Sequence, residues 1–332
     1  MTLKKGTFIR RGGAAALAAA LLLATPAMAL FGSKEESQTQ TAEGAPIARE
    51  LELRTYRNIP YHAQFLAVDQ EGDELTYTVE KEPRRGTVTV EGDTFTYTPA
   101  ENRTGTDSFT YVATDSQGNV SAPATVTITV SKTKSGVRYA DMENNAAAAA
   151  AQALAENGVF TGSKIGDQYF FEPDRTVTRS EFLAMTMETA GLDATSVTMT
   201  GFCDDEAIPT WSKAYAAAGV ADGIVQGKTT DQGVAFQGEE AITFSEAATI
   251  LDRVLDLGDV DLETWYADRE AVPSWAAQAV GNMEAVSVLS AGSFGSDGLE
   301  EPITRGDAAM MLSAARTLLD GEKTSGILDW LK

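Results

Sequence analysis

The sequence predicts a multidomain chain, an all-β sandwich followed by a mainly α region made of three repeats. Three observations predict it. Apolar and polar residues alternate with a period of two between positions 44 and 131. Beyond position 138 the chain turns alanine-rich, and two short signatures each recur three times within that second region.

At the N-terminus, Lys4, Lys5, Arg10 and Arg11 precede the apolar run 12–24, and Ala27-Met28-Ala29 has the A-x-A form of a cleavage site. Residues 1–29 are therefore predicted to be a secretory signal peptide. A membrane-spanning helix would need about 20 apolar residues, so the exported chain is expected not to span a membrane. Residues 30–43 are polar and small, as a flexible leader should be.

Charge narrows the partners. The chain has 26 Lys and Arg against 48 Asp and Glu, a net charge of −22, and signal cleavage would remove basic residues only. Nucleic acid is excluded as a partner, and an anionic polymer would need local cationic sites. Cys203 is the single cysteine, so no intramolecular disulfide forms; its place in Phe202-Cys203-Asp204 predicts a buried, inert thiol.

Residues 44–131 form the predicted sandwich. Leu75, Tyr77 and Val79 alternate with threonines, as do Phe95 and Tyr97, Phe109 and Tyr111, and Val126, Ile128 and Val130. Turn signals at Glu71-Gly72-Asp73, Glu91-Gly92-Asp93 and Gln117-Gly118-Asn119 separate the strands. Asp69, Glu71, Asp73 and Asp115 gather in these turns and offer oxygen ligands of the kind calcium takes. The competing reading is that Asp and Gly stand there because they make turns.

A basic linker, 132–138, leads to the predicted repeats 139–195, 196–260 and 261–320, with a tail at 321–332. The first signature is Tyr139-Ala140-Asp141, Phe202-Cys203-Asp204 and Tyr266-Ala267-Asp268. Each repeat reads as helix, loop, helix. Pro209-Thr210-Trp211 and Pro273-Ser274-Trp275 open helices, while Gly158 and Gly219 are expected to cap them and Ala285 holds the third such place.

The second signature is Thr178-Arg179-Ser180-Glu181, Thr243-Phe244-Ser245-Glu246 and Thr304-Arg305-Gly306-Asp307. Thr178 with Glu181, Thr243 with Glu246, and Thr304 with Asp307 have capping-box spacing. An arginine in a first helical turn opposes the helix dipole, so Arg179 and Arg305 call for an anion. A guanidinium beside free helix N-terminal amides would receive a carboxylate or phosphate; the alternative partner is an acidic residue of a neighbouring repeat. Phe244 breaks the pattern. Trp211 and Trp275 either stack on a sugar ring or, the favoured expectation, pack in the core.

Residues 139–318 resemble three S-layer homology domains, through the aromatic-x-Asp starts, the Pro-x-Trp helices and the Thr-Arg-Ser-Glu and Thr-Arg-Gly-Asp signatures. That resemblance implies a pseudo-threefold helical bundle binding a secondary cell-wall polysaccharide, often pyruvylated, in grooves between repeats. By it, Arg179 and Arg305 match the ligand-contacting arginine. Residues 44–131 resemble a bacterial cadherin-like, immunoglobulin-type domain, through Gly72-Asp73-Glu74-Leu75-Thr76-Tyr77 and Gly105-Thr106-Asp107-Ser108-Phe109-Thr110-Tyr111.

The expectation is a secreted, non-enzymatic surface protein held noncovalently at a bacterial cell wall or S-layer. Its partner is a secondary wall polysaccharide or another peptidoglycan-linked polymer, bound through Arg179, Arg305, Trp211 and Trp275. No cofactor is required beyond the calcium reading. His62 is the only histidine, and no nucleophile motif surrounds a serine. The rivals are an adhesin or carbohydrate-binding protein that binds through its sandwich, and a wall-glycan-processing enzyme.

Overall fold

The computed structural model describes residues 44–69, 71–262, 273–289 and 298–322. The predicted signal peptide, the leader, the Tyr266-Ala267-Asp268 signature and the apolar stretch 327–331 lie outside the described residues.

Nine strands form the N-terminal domain: β1 (Ile47–Ala48), β2 (Leu51–Tyr56), β3 (Tyr61–Gln64), β4 (Ala67–Val68), β5 (Thr76–Lys81), β6 (Gly86–Glu91), β7 (Thr94–Pro99), β8 (Gly105–Thr114) and β9 (Ala124–Ser131). One sheet has the order β2-β9-β8-β5 and another β3-β7-β6, with a small β1-β4 pair. β2 runs parallel to β9, and the other pairings are antiparallel.

Strict alternation builds this sandwich. Along β9, Ala124, Val126, Ile128 and Val130 are buried while the intervening threonines stay half-buried. Inward rings from the two sheets meet: Phe95 on β7 and Phe109 on β8 lie edge to face at 5.2 Å. The buried Tyr111 places its hydroxyl 2.7 Å from the carbonyls of both Arg49 and Leu66, which ties the β1-β4 pair to the core.

Asp107, buried at the start of β8, takes hydrogen bonds from the backbone amides of Arg84 (2.9 Å) and Arg85 (2.7 Å) and from the Tyr97 hydroxyl (3.0 Å). Burial alone would push its carboxyl up, but these donors together with the Ser108 amide hold it below the ordinary carboxylate value.

The C-terminal region contains six helices among the described residues. They are α1 (Ala148–Glu156), α2 (Arg179–Ala190), α3 (Lys213–Ala221), α4 (Phe244–Leu255), α5 (Ala277–Ala285) and α6 (Arg305–Glu322). Two short hairpins, β10-β11 (Ser163–Ile165, Gln168–Phe170) and β12-β13 (Lys228–Thr230, Gly233–Ala235), join α1 to α2 and α3 to α4. The sequence pattern predicts only loops at these places. Gly158, with positive φ, stands just past the end of α1 as a cap should, but Gly219 lies inside α3, and Gly223 and Ser287, also with positive φ, stand just past the ends of α3 and α5.

The residues just before α2, α4 and α6 close a ring. Val177 N–H donates to the Ile303 carbonyl (3.1 Å), Ile303 N–H to Ile242 (2.9 Å), and Ile242 N–H to Val177 (3.0 Å). All three side chains are buried at the centre of one apolar cluster. A second cycle of donors, running in the opposite sense, joins the helix starts. Arg179 and Ser180 N–H donate to Glu240 and Gly238, Phe244 and Ser245 to Glu301 and Leu299, and Arg305 and Gly306 to Arg175 and Pro173.

The two halves of the chain touch. Ile59 packs on the helical cluster. The Glu156 carboxylate accepts from the backbone amides of Lys134 (2.6 Å) and Ser135 (3.0 Å) and from Gln152 Nε2 (2.8 Å), which holds the linker against α1.

Ile242→Ala should cost about 3 kcal/mol, because it empties the centre of the ring, whereas Thr243→Ala should cost only about 1 kcal/mol as a lost cap. Urea unfolding followed by circular dichroism checks the order; equal losses would refute the ring's central role. Asp107→Ala should destabilise the sandwich by about 3 kcal/mol at neutral pH. Because the folded carboxyl titrates lower than the unfolded one, its contribution is full above about pH 4 and disappears as pH falls through the folded value. Asp107→Asn should therefore flatten the acid limb of the stability profile.

Candidate functional site

The aromatic-x-Asp signature has a structural task in the two described copies. Asp141 accepts from the amides of Phe171 (2.9 Å) and Glu172 (2.7 Å), and Asp204 from those of Phe236 and Gln237 (both 2.8 Å). Glu172 and Gln237 both have φ of 57°, a left-handed conformation that costs a non-glycine residue energy and that the carboxylate holds in place. The signature aromatic packs on the same turn: Tyr139 meets Phe171 at 5.2 Å, and Phe202 meets Phe236 at 5.4 Å.

These turns wall the joints between successive repeats, and the signature arginines enter them. Arg179 is 7% exposed. Its Nη2 donates to the Gln226 carbonyl at 2.9 Å, Nη1 lies 3.8 Å from Glu246 Oε1, and its guanidinium stands 5.6 Å from the centre of the Phe236 ring. Its Nε has no hydrogen-bond partner. Burial lowers the pKa of this guanidinium, and Glu246 opposes the shift. Lys228 stands beside it, 2.7 Å from Glu246.

Arg305 is 5% exposed and occupies the corresponding joint between the third and first repeats. Its Nη1 donates to the Phe171 carbonyl (2.6 Å) and to Glu172 Oε2 (2.9 Å), and it stands 5.0 Å from the Phe160 ring. Both arginines thus have carboxylates from a neighbouring repeat in reach. In the remaining joint, Phe244 is buried.

The expected free helix amides are not free. The first two N–H groups of α2, α4 and α6 are taken by carbonyls of the next repeat. The third is taken by the capping threonine: Glu181 N–H donates to Thr178 Oγ1, Glu246 N–H to Thr243 Oγ1 and Asp307 N–H to Thr304 Oγ1. An anion at these joints would meet side chains rather than helix ends.

Trp211 is 52% and Trp275 59% exposed, which corrects the expectation that they pack in the core. Each sits in a tight turn, closed by Ser212 N–H to Pro209 and by Ala276 N–H to Pro273, ahead of α3 and α5. Cys203 is exposed as well, against the predicted buried thiol.

In the sandwich, Asp69, Glu71 and Asp115 each bring a carboxylate oxygen within 4.8 Å of the others. The two aspartates are folded alike. Asp69 Oδ1 accepts from the amides of Glu71 and Asp73 (both 3.0 Å), and Asp115 Oδ1 from those of Gln117 (2.9 Å) and Asn119 (2.8 Å). Burial would raise the Asp115 carboxyl, but the Asn119 side chain and the loop amides outweigh it and keep the pKa low. Asp69 is 5% exposed, yet its Oδ2 has no hydrogen-bond partner, and neither does Oδ2 of Asp73, which lies outside the close trio. A buried, unengaged carboxylate oxygen among other carboxylates suits a hard cation with oxygen ligands.

His62 hydrogen-bonds Thr96 Oγ1 through Nδ1 at 2.8 Å, while its buried Nε2 has no partner. Among the described residues, no helix is long and apolar enough to cross a membrane.

Residues 43–129 match the family described as "Bacterial Ig domain", and the N-terminal domain is Ig-like. Among solved structures, the chain is similar to an endo-fucoidan hydrolase from glycoside hydrolase family 107, with 27% identity and a TM-score of 0.23 over 29% of this chain and 15% of that one. It is also similar to the SrpA adhesin of Streptococcus sanguinis, with 16% identity and a TM-score of 0.23 over 30% of this chain and 65% of that one. Fibronectin(III)-like modules of Clostridium thermocellum CbhA match with 17% identity and a TM-score of 0.21, over 27% of this chain and 48% of that one. No curated protein matches the chain.

Proposed function

We propose that the chain is an exported bacterial surface protein whose helical half anchors it to an anionic secondary cell-wall polysaccharide. In this reading residues 139–320 are three S-layer homology repeats arranged with pseudo-threefold symmetry, and the Ig-like sandwich is a spacer or adhesion module. The observation that carries it is the cyclic order of backbone hydrogen bonds among Val177, Ile242 and Ile303, together with an arginine buried in two of the three joints. The joints supply cation and ring, and Trp211 and Trp275 supply exposed faces on which a sugar can stack. The chain binds and performs no catalytic step.

The mature chain should cosediment with purified walls and stop doing so once the secondary polymer is stripped. Trp211→Ala plus Trp275→Ala, both surface changes, should keep the unfolding midpoint and weaken binding at least about tenfold, equivalent to ~1.4 kcal/mol. Arg179→Lys plus Arg305→Lys should weaken it too, because an ammonium lacks the planar fork. Binding indifferent to stripping and to all four changes would sink the anchor and favour an adhesin acting through its sandwich. Turnover of wall glycans by the purified chain would favour the enzyme.

The unengaged Asp69 Oδ2 favours a second, smaller reading. Asp69, Glu71 and Asp115 hold calcium, with Asp73 beside them, and the ion stiffens one end of the sandwich. Calcium at about a hundred times its Kd should then stabilise the domain by about 2.7 kcal/mol, and Asp69→Asn should abolish the gain. Calorimetry showing neither binding heat nor a shifted unfolding temperature would refute this.

A further inference from the structure

A second group of cations lies in the sandwich, apart from the repeat joints. Arg84 and Arg85 precede β6, and Arg103 precedes β8. With Ala100, Asn102 and Thr104 they line a concavity of about 570 Å³. All three arginines are exposed, and none forms an ion pair with another described residue. Three uncompensated guanidinium groups in a chain of net charge −22 run against its composition.

The backbone beneath them is fixed. The buried Asp107 carboxylate holds the amides of Arg84 and Arg85, so its own charge faces inward on four donors. Ala100 N–H donates to the Arg85 carbonyl (2.7 Å) and Arg103 N–H to the Ala100 carbonyl (3.0 Å). Asn102, at φ 59°, donates its amide to Asn58 Oδ1 (2.6 Å). Arg85 Nη1 reaches the Thr104 carbonyl (3.1 Å) across Gly105. A Cβ at Gly105 would lie 2.8 Å from that nitrogen, and φ there is +104°. Glu101, the acid adjacent to the cluster, accepts from Asn102 Nδ2.

We propose that Arg84, Arg85 and Arg103 form a binding site for an anionic polysaccharide, whose carboxylate or sulfate groups pair with the guanidinium forks. No aromatic residue lines the concavity, so nothing there offers the stacking platform that single-stranded nucleic acid uses. Gly105 pairs with Val130 at the end of β9, which puts the site at the end of the sandwich that faces the linker and the repeats. The Asp69 cluster follows β4, and Asp115 follows β8, at the other end.

The test is titration calorimetry of the full chain with polygalacturonate, dextran sulfate, neutral dextran and single-stranded DNA. Binding to either charged polysaccharide but not to neutral dextran is expected, and the two charged probes separate carboxylate from sulfate recognition. Arg84→Gln plus Arg103→Gln leaves the backbone bonds and Arg85 in place, and should weaken that binding at least tenfold with an unchanged unfolding midpoint. Trp211→Ala plus Trp275→Ala should leave it intact, which separates this site from the proposed wall anchor. No binding by the native chain, equal binding by the Arg84/Arg103 variant, equal binding of neutral dextran, or tighter binding of DNA would each overturn the proposal.

Discussion

Three backbone amides govern the helical half. Because Val177, Ile242 and Ile303 each donate to one neighbour and accept from the other, none has both its N–H and its C=O paired unless all three segments are present. Buried amides and carbonyls must be paired, so the ring makes the repeats one cooperative unit rather than a string of modules. It also fixes where each signature helix begins. The first two N–H groups of α2, α4 and α6 are committed to carbonyls across a joint, and the side chain at the first helical position is carried into that joint. Arg179, Phe244 and Arg305 are buried for this reason.

Carboxylates do the complementary work. Asp141 and Asp204 hold strained turns, Glu156 holds the linker, and Asp107 holds the turn that presents Arg84 and Arg85. An acid that accepts several backbone donors is a structural pin whose charge is answered locally. Asp69 departs from this pattern, since one oxygen accepts two amides and the other accepts none. The distinction between a pin and a ligand rests on that second oxygen.

Much of this was legible in the sequence where a feature is periodic or local. The threonine alternation of β9 and β7 marked the inward face without ambiguity, because a strand has only two faces. The capping signatures marked the starts of α2, α4 and α6, because a helix start has few chemical solutions. The β10-β11 and β12-β13 hairpins escaped, since three residues a side carry no readable period. Gly219 was misjudged as a cap because a glycine packed against Val225 and Leu183 looks, in sequence, like one that ends a helix. The exposure of Trp211, Trp275 and Cys203 depends on which side of a turn faces solvent, and the arginine cluster depends on two turns meeting across Gly105. Neither is encoded by neighbours in the chain.

The electrostatics would reconcile an acidic chain with the anionic partner proposed for it. At physiological ionic strength charges are screened over about 8 Å, so the net charge acts on a distant polymer only weakly, while a guanidinium in direct contact is screened far less. Placement therefore matters more than the total. A joint arginine with a carboxylate already in reach can bind an anion only by exchanging partners, which favours a ligand that brings ring faces as well as charge. The exposed trio at Arg84, Arg85 and Arg103 has no ion pair among the described residues to surrender and would respond to charge alone. Two sites of opposite character on one chain would let the repeats select a particular polymer while the sandwich takes hold of anionic polysaccharide more generally.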